Sequence, residues 1–218
     1  VDFSVYAAIE MRYTAWIARE LEEIDKERYW ERRSKSLSEN IHKNLWHQRD
    51  GFYYDRKISG PLTGIKAVSG FYPLLLDDIP QERVDRLIDA LKDPTLFNTA
   101  FPIPSVAISD PTWSTDMWRG PTWLNTNYFI IRGLTKQGRV NEATWLAQTS
   151  IEFVQKYYQR YGVLFEFYDA KDTVPPVACN RRAAPKETYD IRVKVDSIRD
   201  YHWTAAVTAC LLLDLDEI

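Results

Sequence analysis

Cysteine is nearly absent: Cys179 and Cys210 are the only two in 218 residues, too few for a disulfide framework or a thiolate metal site. The three histidines, His42, His47 and His202, lack metal-ligand spacing, so neither a metal nor another cofactor is expected. No apolar run approaches the roughly 20 residues a membrane helix needs, and no basic region leads into an apolar one at the N-terminus. A soluble chain with no membrane partner is expected, and among compartments a cytoplasmic one is favoured. Charge of a single sign is also lacking. With 28 basic and 31 acidic residues the net charge is -3, which offers nothing to the phosphates of a nucleic acid, so none is expected as a partner. The charge-dense stretch from Arg19 to Glu39 alternates in sign and reads as the solvated face of two helices.

What the chain has in quantity is aromatic surface, with eight Trp and thirteen Tyr. Such rings fill cores and also stack on the apolar faces of sugars, so the composition permits a carbohydrate site without establishing one. A hydrophobic content of 45% over 218 residues suffices for one core, and residues 1–218 are read as a single domain. The chain begins at Val1 inside an amphipathic pattern, which points to a processed product or a fragment.

Periodicity predicts mostly helix. Val5, Ile9, Tyr13, Trp16, Ile17, Leu21 and Ile24 recur at steps of three and four, and after a restart at Asp25 the spacing continues through Trp30, Leu37, Ile41 and Leu45. The short link makes these two an antiparallel pair. Residues 51–55, a glycine and four residues rich in aromatics, favour an extended segment. A short helix is expected over Val68 to Leu76, and another after Pro80 carrying Val84, Leu87, Ile88 and Leu91. The five prolines in the stretch from Asp93 to Pro121, Pro121 included, demand a long loop, whose Trp113 and Trp118 argue for order and a functional role. Pro121 should then open a helix through Leu134, and beyond Gly138 a further helix should run from Val140 to Tyr158.

The second half repeats the first in outline. Residues 162–169 echo 51–55, and a last helix is expected from Tyr201 to Leu215. Helical hairpins repeated in this way are the pattern of a closed all-α toroid, with short hairpin-like strands in its loops. Helices opening near Ser69-Gly70, Arg119-Gly120-Pro121 and Arg199-Asp200-Tyr201 form the expected inner set.

Residues 117–128 are the most informative. Gly120 and Pro121 set a sharp entry into a helix, and Trp118, Arg119, Trp123, Asn125 and Asn127 crowd its first turns. Guanidinium and amide groups bind sugar hydroxyls and indoles offer flat apolar faces, although each residue taken singly fits a core or ion-pair role equally well. The run MWRGPTWLNTNYFIIRGL at 117–134 resembles the WRGPxWxxxNY signature of glycoside hydrolase family 63 and its relatives. LWHQRDGFYYD at 45–55, SGFYPLL at 69–75, FPIPSVAISDP at 101–111, FEFYDA at 165–170 and DYHWTAA at 200–206 follow in the family's order and cover most of the chain. Mannosylglycerate and glucosylglycerate hydrolases, bacterial α-glucosidases, processing oligosaccharide glucosidase and, distantly, trehalase share this resemblance.

The resemblance implies an all-α (α/α)6 toroid or the C-terminal part of one, here the C-terminal part of a catalytic barrel, and an inverting hydrolase of α-linked glucosides or mannosides, with a carbohydrate as partner. Such an enzyme pairs a general acid with a general base roughly 6.5–9.5 Å apart. Glu166 best matches the family's base; Glu187, in a similar Glu-x-Tyr-Asp setting but after a basic, proline-containing loop, is its rival. Glu166 lies in a largely apolar strand, where an ionised group requires a reason. The family's acid is an Asp that by this alignment falls upstream of Val1; Asp116 has no support for the role. Trp118, Arg119, Gly120, Trp123, Asn127, Tyr168, His202 and Trp203 are the expected sugar-binding set. Trp46, Phe52 and Tyr53 read as rim or packing, His202 as a hydroxyl ligand, a tuner of Glu166 or a structural histidine, and Arg181 and Arg182 as ligands of an acidic aglycone or as solvated loop. Two other classes stay open. One is a non-catalytic sugar-binding or structural toroid segment that assembles with the missing N-terminal part of the barrel or with a second copy. The other is an epimerase-type toroid, for which three histidines so placed supply a proton shuttle poorly.

Overall fold

A computed structural model describes residues 1–181 and 196–214. It divides into two compact units, Val1–Leu87 and Ile88–Ile218.

In the first unit α1, Asp2–Glu20, and α2, Ile24–Asn44, form the expected helical pair. The break falls at residues 21–23 rather than at Asp25, because Glu22 takes a positive φ of 59° and reverses the chain there. The face of α1 that is buried is a row of small residues, Val5, Ala8, Ala15 and Ala18, whose size admits a close neighbour. Tyr13, Trp16, Ile17 and Leu21, expected on the buried side, are exposed. A two-residue hairpin follows, β1 at Trp46–His47 against β2 at Phe52–Tyr53, with Trp46 opposite Tyr53. The helix at Val68–Leu75 is 3₁₀ and holds Pro73 within it. Its Gly70 lies against Phe52 so closely that a Cβ would fall 2.2 Å from the ring.

Helix α3, Gln81–Lys92, starts just after Pro80 and buries Val84, Leu87 and Leu91. In the second unit the proline-rich stretch is ordered, with Phe97, Phe101 and Ile103 fully buried. Helix α4, Leu124–Lys136, and α5, Val140–Tyr161, make the next hairpin; Gly138 and Gly162, with φ near 70°, supply the left-handed residues that end them. Residues 121–123, expected inside α4, are extended. Thr122 exchanges two backbone hydrogen bonds with Tyr168, 2.8 and 3.1 Å, and a peptide so paired cannot also join the helix. Residues 165–168 are bridged on their other side to residues 198–199, as an extended segment should be. Helix α6, His202–Asp214, closes the described chain.

Candidate active site

The bridged segments of the second unit carry the site. Trp123, the last extended residue before α4, is 2% exposed and donates its indole N–H to the Met117 carbonyl at 3.0 Å. That bond pulls the preceding loop over the ring. Trp118 consequently lies flat on Trp123, with ring centroids 3.9 Å apart and planes 2° from parallel, while Phe167 packs against Trp123 with its centroid 5.0 Å away. Trp118 itself is 44% exposed, an aromatic plate on a rigid backing. Gly120 makes the loop possible: a Cβ there would come within 2.1 Å of the Ser114 carbonyl and 2.8 Å of the Trp113 ring. Arg119, between plate and glycine, is exposed.

Glu166 sits in the same strand as Phe167. Its side chain is 2% exposed, and its Oε2 lies 3.1 Å from Arg181 Nε. The pair is in contact but poorly angled: neither atom has a hydrogen-bond partner among the described residues, although both are enclosed. Tyr201, which opens α6, packs on the cluster of Trp123, Phe167 and Cys179. Burial, and then the neighbouring Glu166 carboxylate, push the Tyr201 phenol above its ordinary range, with Arg181 opposing. The phenol therefore keeps its proton at neutral pH.

Other residues expected in the sugar-binding set are placed differently. Asn127 is fully buried with its amide engaged: Nδ2 donates to the Pro102 carbonyl at 2.6 Å and to Ser150 Oγ at 3.0 Å, and Oδ1 accepts the Ile103 N–H at 3.2 Å. Tyr168 is fully buried too, its hydroxyl accepting the Phe165 N–H. Both positions hold the loop and strand behind the plate. His202 and Trp203 are exposed at the start of α6, beside Tyr201. Asp169, next to Tyr168, spends its carboxylate on the N–H groups of Lys171, Thr173 and Val174 and fixes the turn after the strand. Glu187 and Arg182 lie outside the described residues. Nothing in the sequence marks Arg181 as the partner of Glu166, since 15 positions separate them and no local periodicity relates a strand to a loop. No group of three or more potential metal ligands occurs among the described residues, and no helix among them is long and apolar enough to cross a membrane.

The family model of the mannosylglycerate hydrolase MGH1-like glycoside hydrolase domain matches residues 1–204. An uncharacterized protein of Borreliella burgdorferi is 34% identical over 116 residues, 52% of this chain and 24% of that one. The mannosylglycerate hydrolase of Rubrobacter radiotolerans is 26% identical over 146 residues, 64% of this chain and 32% of the enzyme. Among solved structures, the GH63 mannosylglycerate hydrolase of Thermus thermophilus in complex with glucose superposes with a TM-score of 0.68 at 21% identity, covering 98% of this chain and 45% of its own. The same enzyme has been solved with Tris and D-glycerate. The fold is thus all-α, of the (α/α)6 glycosidase kind, and the chain spans a quarter to a third of the length of these two curated relatives.

Proposed function

Because the chain belongs to the mannosylglycerate hydrolase MGH1-like glycoside hydrolase family, we propose that it is the C-terminal part of an (α/α)6 catalytic barrel and supplies the general base and the sugar platform of an inverting glycosidase. The observation that carries this reading is Glu166: a carboxylate 2% exposed, one of whose oxygens receives no hydrogen bond from the described residues. Burying a charge with an unclaimed lone pair costs stability, and a general base uses that lone pair by taking a proton from the attacking water. Trp118, backed by Trp123, supplies the flat apolar surface on which a pyranose ring stacks, and Arg119 beside it donates to hydroxyls.

In this mechanism the sugar lies on Trp118, the water on the Glu166 side loses its proton to the carboxylate as it attacks the anomeric carbon, and the leaving oxygen is protonated from the opposite face. The acid belongs to a part of the barrel that these residues do not include, consistent with a chain that spans 45% of the Thermus enzyme. The substrate class is a small α-linked glucoside or mannoside, with an acidic aglycone such as glycerate favoured by the relatives' names.

The test is made in the full polypeptide. E166Q should abolish hydrolysis while leaving sugar binding intact; retained hydrolysis overturns the assignment and shifts the base to Glu187. Following the product's anomeric configuration by proton NMR in the active parent separates inversion from retention.

A second reading is supported by α6. Apolar residues occupy all its sides, a pattern of helices covered in full, yet Trp203, Leu212 and Leu213 are exposed. A non-catalytic segment that binds sugar only when assembled with another polypeptide would show the same surface, and would leave E166Q without effect on any activity of the assembly.

A further inference from the structure

We propose that Arg181 is the positioning residue of Glu166: its guanidinium holds the carboxylate in the orientation that a general base requires, a role that rests on the base assignment above.

Three observations support this. First, the 3.1 Å approach of Nε to Oε2 joins a carboxylate 2% exposed to a guanidinium 31% exposed. A pair with one buried member is screened far less than a surface pair, and removing the cation leaves the anion uncompensated.

Second, both ends are tied to one backbone lattice. Glu166 donates its N–H to the Ile198 carbonyl at 2.9 Å, and Ser197 Oγ bonds both the N–H and the carbonyl of Phe167. Ser197 in turn donates its own N–H to the Cys179 carbonyl, and the Asn180 carbonyl accepts the Met117 N–H at 2.8 Å. Arg181 thus leaves the segment that anchors the Trp118 loop on one side and the strand after Glu166 on the other. These hydrogen bonds hold charge, base and platform in register.

Third, the chain carries strain where it enters this cluster. Met117, immediately before Trp118, has φ of 31°, and Asp200, immediately before Tyr201, has φ of 55°. Non-glycine residues in this region are strained and persist where surrounding structure imposes them.

The poor angle of the Arg181 contact gives the arrangement its use. Nε–H and Oε2 are adjacent but not spent on each other, so the guanidinium offsets the carboxylate's charge without claiming the lone pair that a base needs. Tyr201, just before α6, packs on the Trp123, Phe167 and Cys179 cluster behind the plate. Lysine in place of Arg181 would keep the charge and lose the fixed planar fork.

The experiment uses the full polypeptide, with R181A, R181K and E166Q made in parallel and folding checked by circular dichroism. Loss of the brace should lower kcat by about 100-fold in R181A, the scale of a misplaced base, with KM within about threefold of the parent. R181K should fall between, added guanidinium ion should restore part of the R181A rate, and the acidic limb of the kcat/KM profile should move to higher pH. An unmoved acidic limb together with no guanidinium rescue overturns the proposal, as does a loss carried by KM alone, which would make Arg181 a substrate ligand. If R181A does not fold, R181K and R181M are compared by carbon-13 NMR of glutamate-labelled protein, with E166Q assigning the signal; an unchanged Glu166 titration in R181M overturns the proposal. Hydrolysis by E166Q would refute the base assignment itself, whereas an inactive E166Q beside an unaffected R181A refutes only the role of Arg181.

Discussion

Trp118 lies on Trp123 as a stacked plate, with ring centroids 3.9 Å apart and planes 2° from parallel, so that one indole is the buried support of the other. The two residues have the same chemistry and opposite duties, which mutation should separate.

W118A removes a half-exposed ring and should weaken sugar binding by about tenfold or more while costing about 1 kcal/mol of stability, the worth of an aromatic pair. W123A removes a buried ring and should cost about 3–5 kcal/mol. Calorimetric sugar titration and urea unfolding of both variants check the split. Equal stability losses in the two would contradict the support relationship.

Gly120→Ala tests the loop. The new Cβ meets the Ser114 carbonyl at 2.1 Å, a backbone atom that can yield only by moving the loop that carries Trp118. Overpacking of this kind costs about 1–3 kcal/mol, and sugar affinity should fall with it. Gly162→Ala is the control: its φ of 70° makes alanine unfavourable by about 1–2 kcal/mol, but nothing lies within 4 Å of the added atom, so affinity should be unchanged.

Asn127→Ala leaves the Pro102 carbonyl and the Ile103 N–H without their amide partner in a fully buried place. A stability loss of about 2–4 kcal/mol is expected from the unsatisfied groups. Binding measured on the folded fraction should change less than in W118A; a larger change would make Asn127 a direct sugar ligand.

A pH dependence is built into the first unit. His42 Nδ1 faces the Tyr53 hydroxyl at 2.7 Å and Nε2 faces Asp78 at 3.2 Å, with Ser38 donating to the same Asp78 oxygen and Arg83 donating to Tyr53. Burial lowers the imidazole below its ordinary range and nearby Arg83 adds to this, against the opposing pull of Asp78. Burial likewise pushes the Tyr53 phenol up to about 12, so it stays a donor to the neutral ring. The folded state binds this proton less readily than the unfolded chain. Its stability contribution is therefore complete above the unfolded histidine value of about 6.5 and declines as pH falls from there toward the folded value. Urea unfolding from about pH 7.5 to about pH 5 should show that decline, and H42Q should flatten it. A parent whose stability rises on acidification through this range would contradict the assignment.

Much of the architecture is legible in the chain. The three- and four-residue spacing of apolar positions places α1, α2, α3 and α5, because helix periodicity is a local property that burial merely selects. Boundaries are less legible where partners distant in sequence decide them. Pro121 reads as a helix start, yet Thr122 is claimed by Tyr168, and the helix waits until Leu124. The buried side of α1 departs from the expected one for a related reason: hydrophobicity ranks Trp16 above Ala15, while close packing against a neighbouring helix favours the smaller residue.

The candidate site divides in the same way. By itself the sequence determined which residues could serve, since Trp118, Arg119, Gly120 and Glu166 stand in motifs whose chemistry follows from residue type. Only the tertiary structure decided their surroundings. It set Trp118 outside and Trp123 beneath, spent Asn127 and Tyr168 on backbone groups, and brought Arg181 to Glu166. The physical reason is that side-chain chemistry is fixed by the residue, whereas exposure, stacking and charge pairing depend on segments far apart in the chain that meet only when it folds.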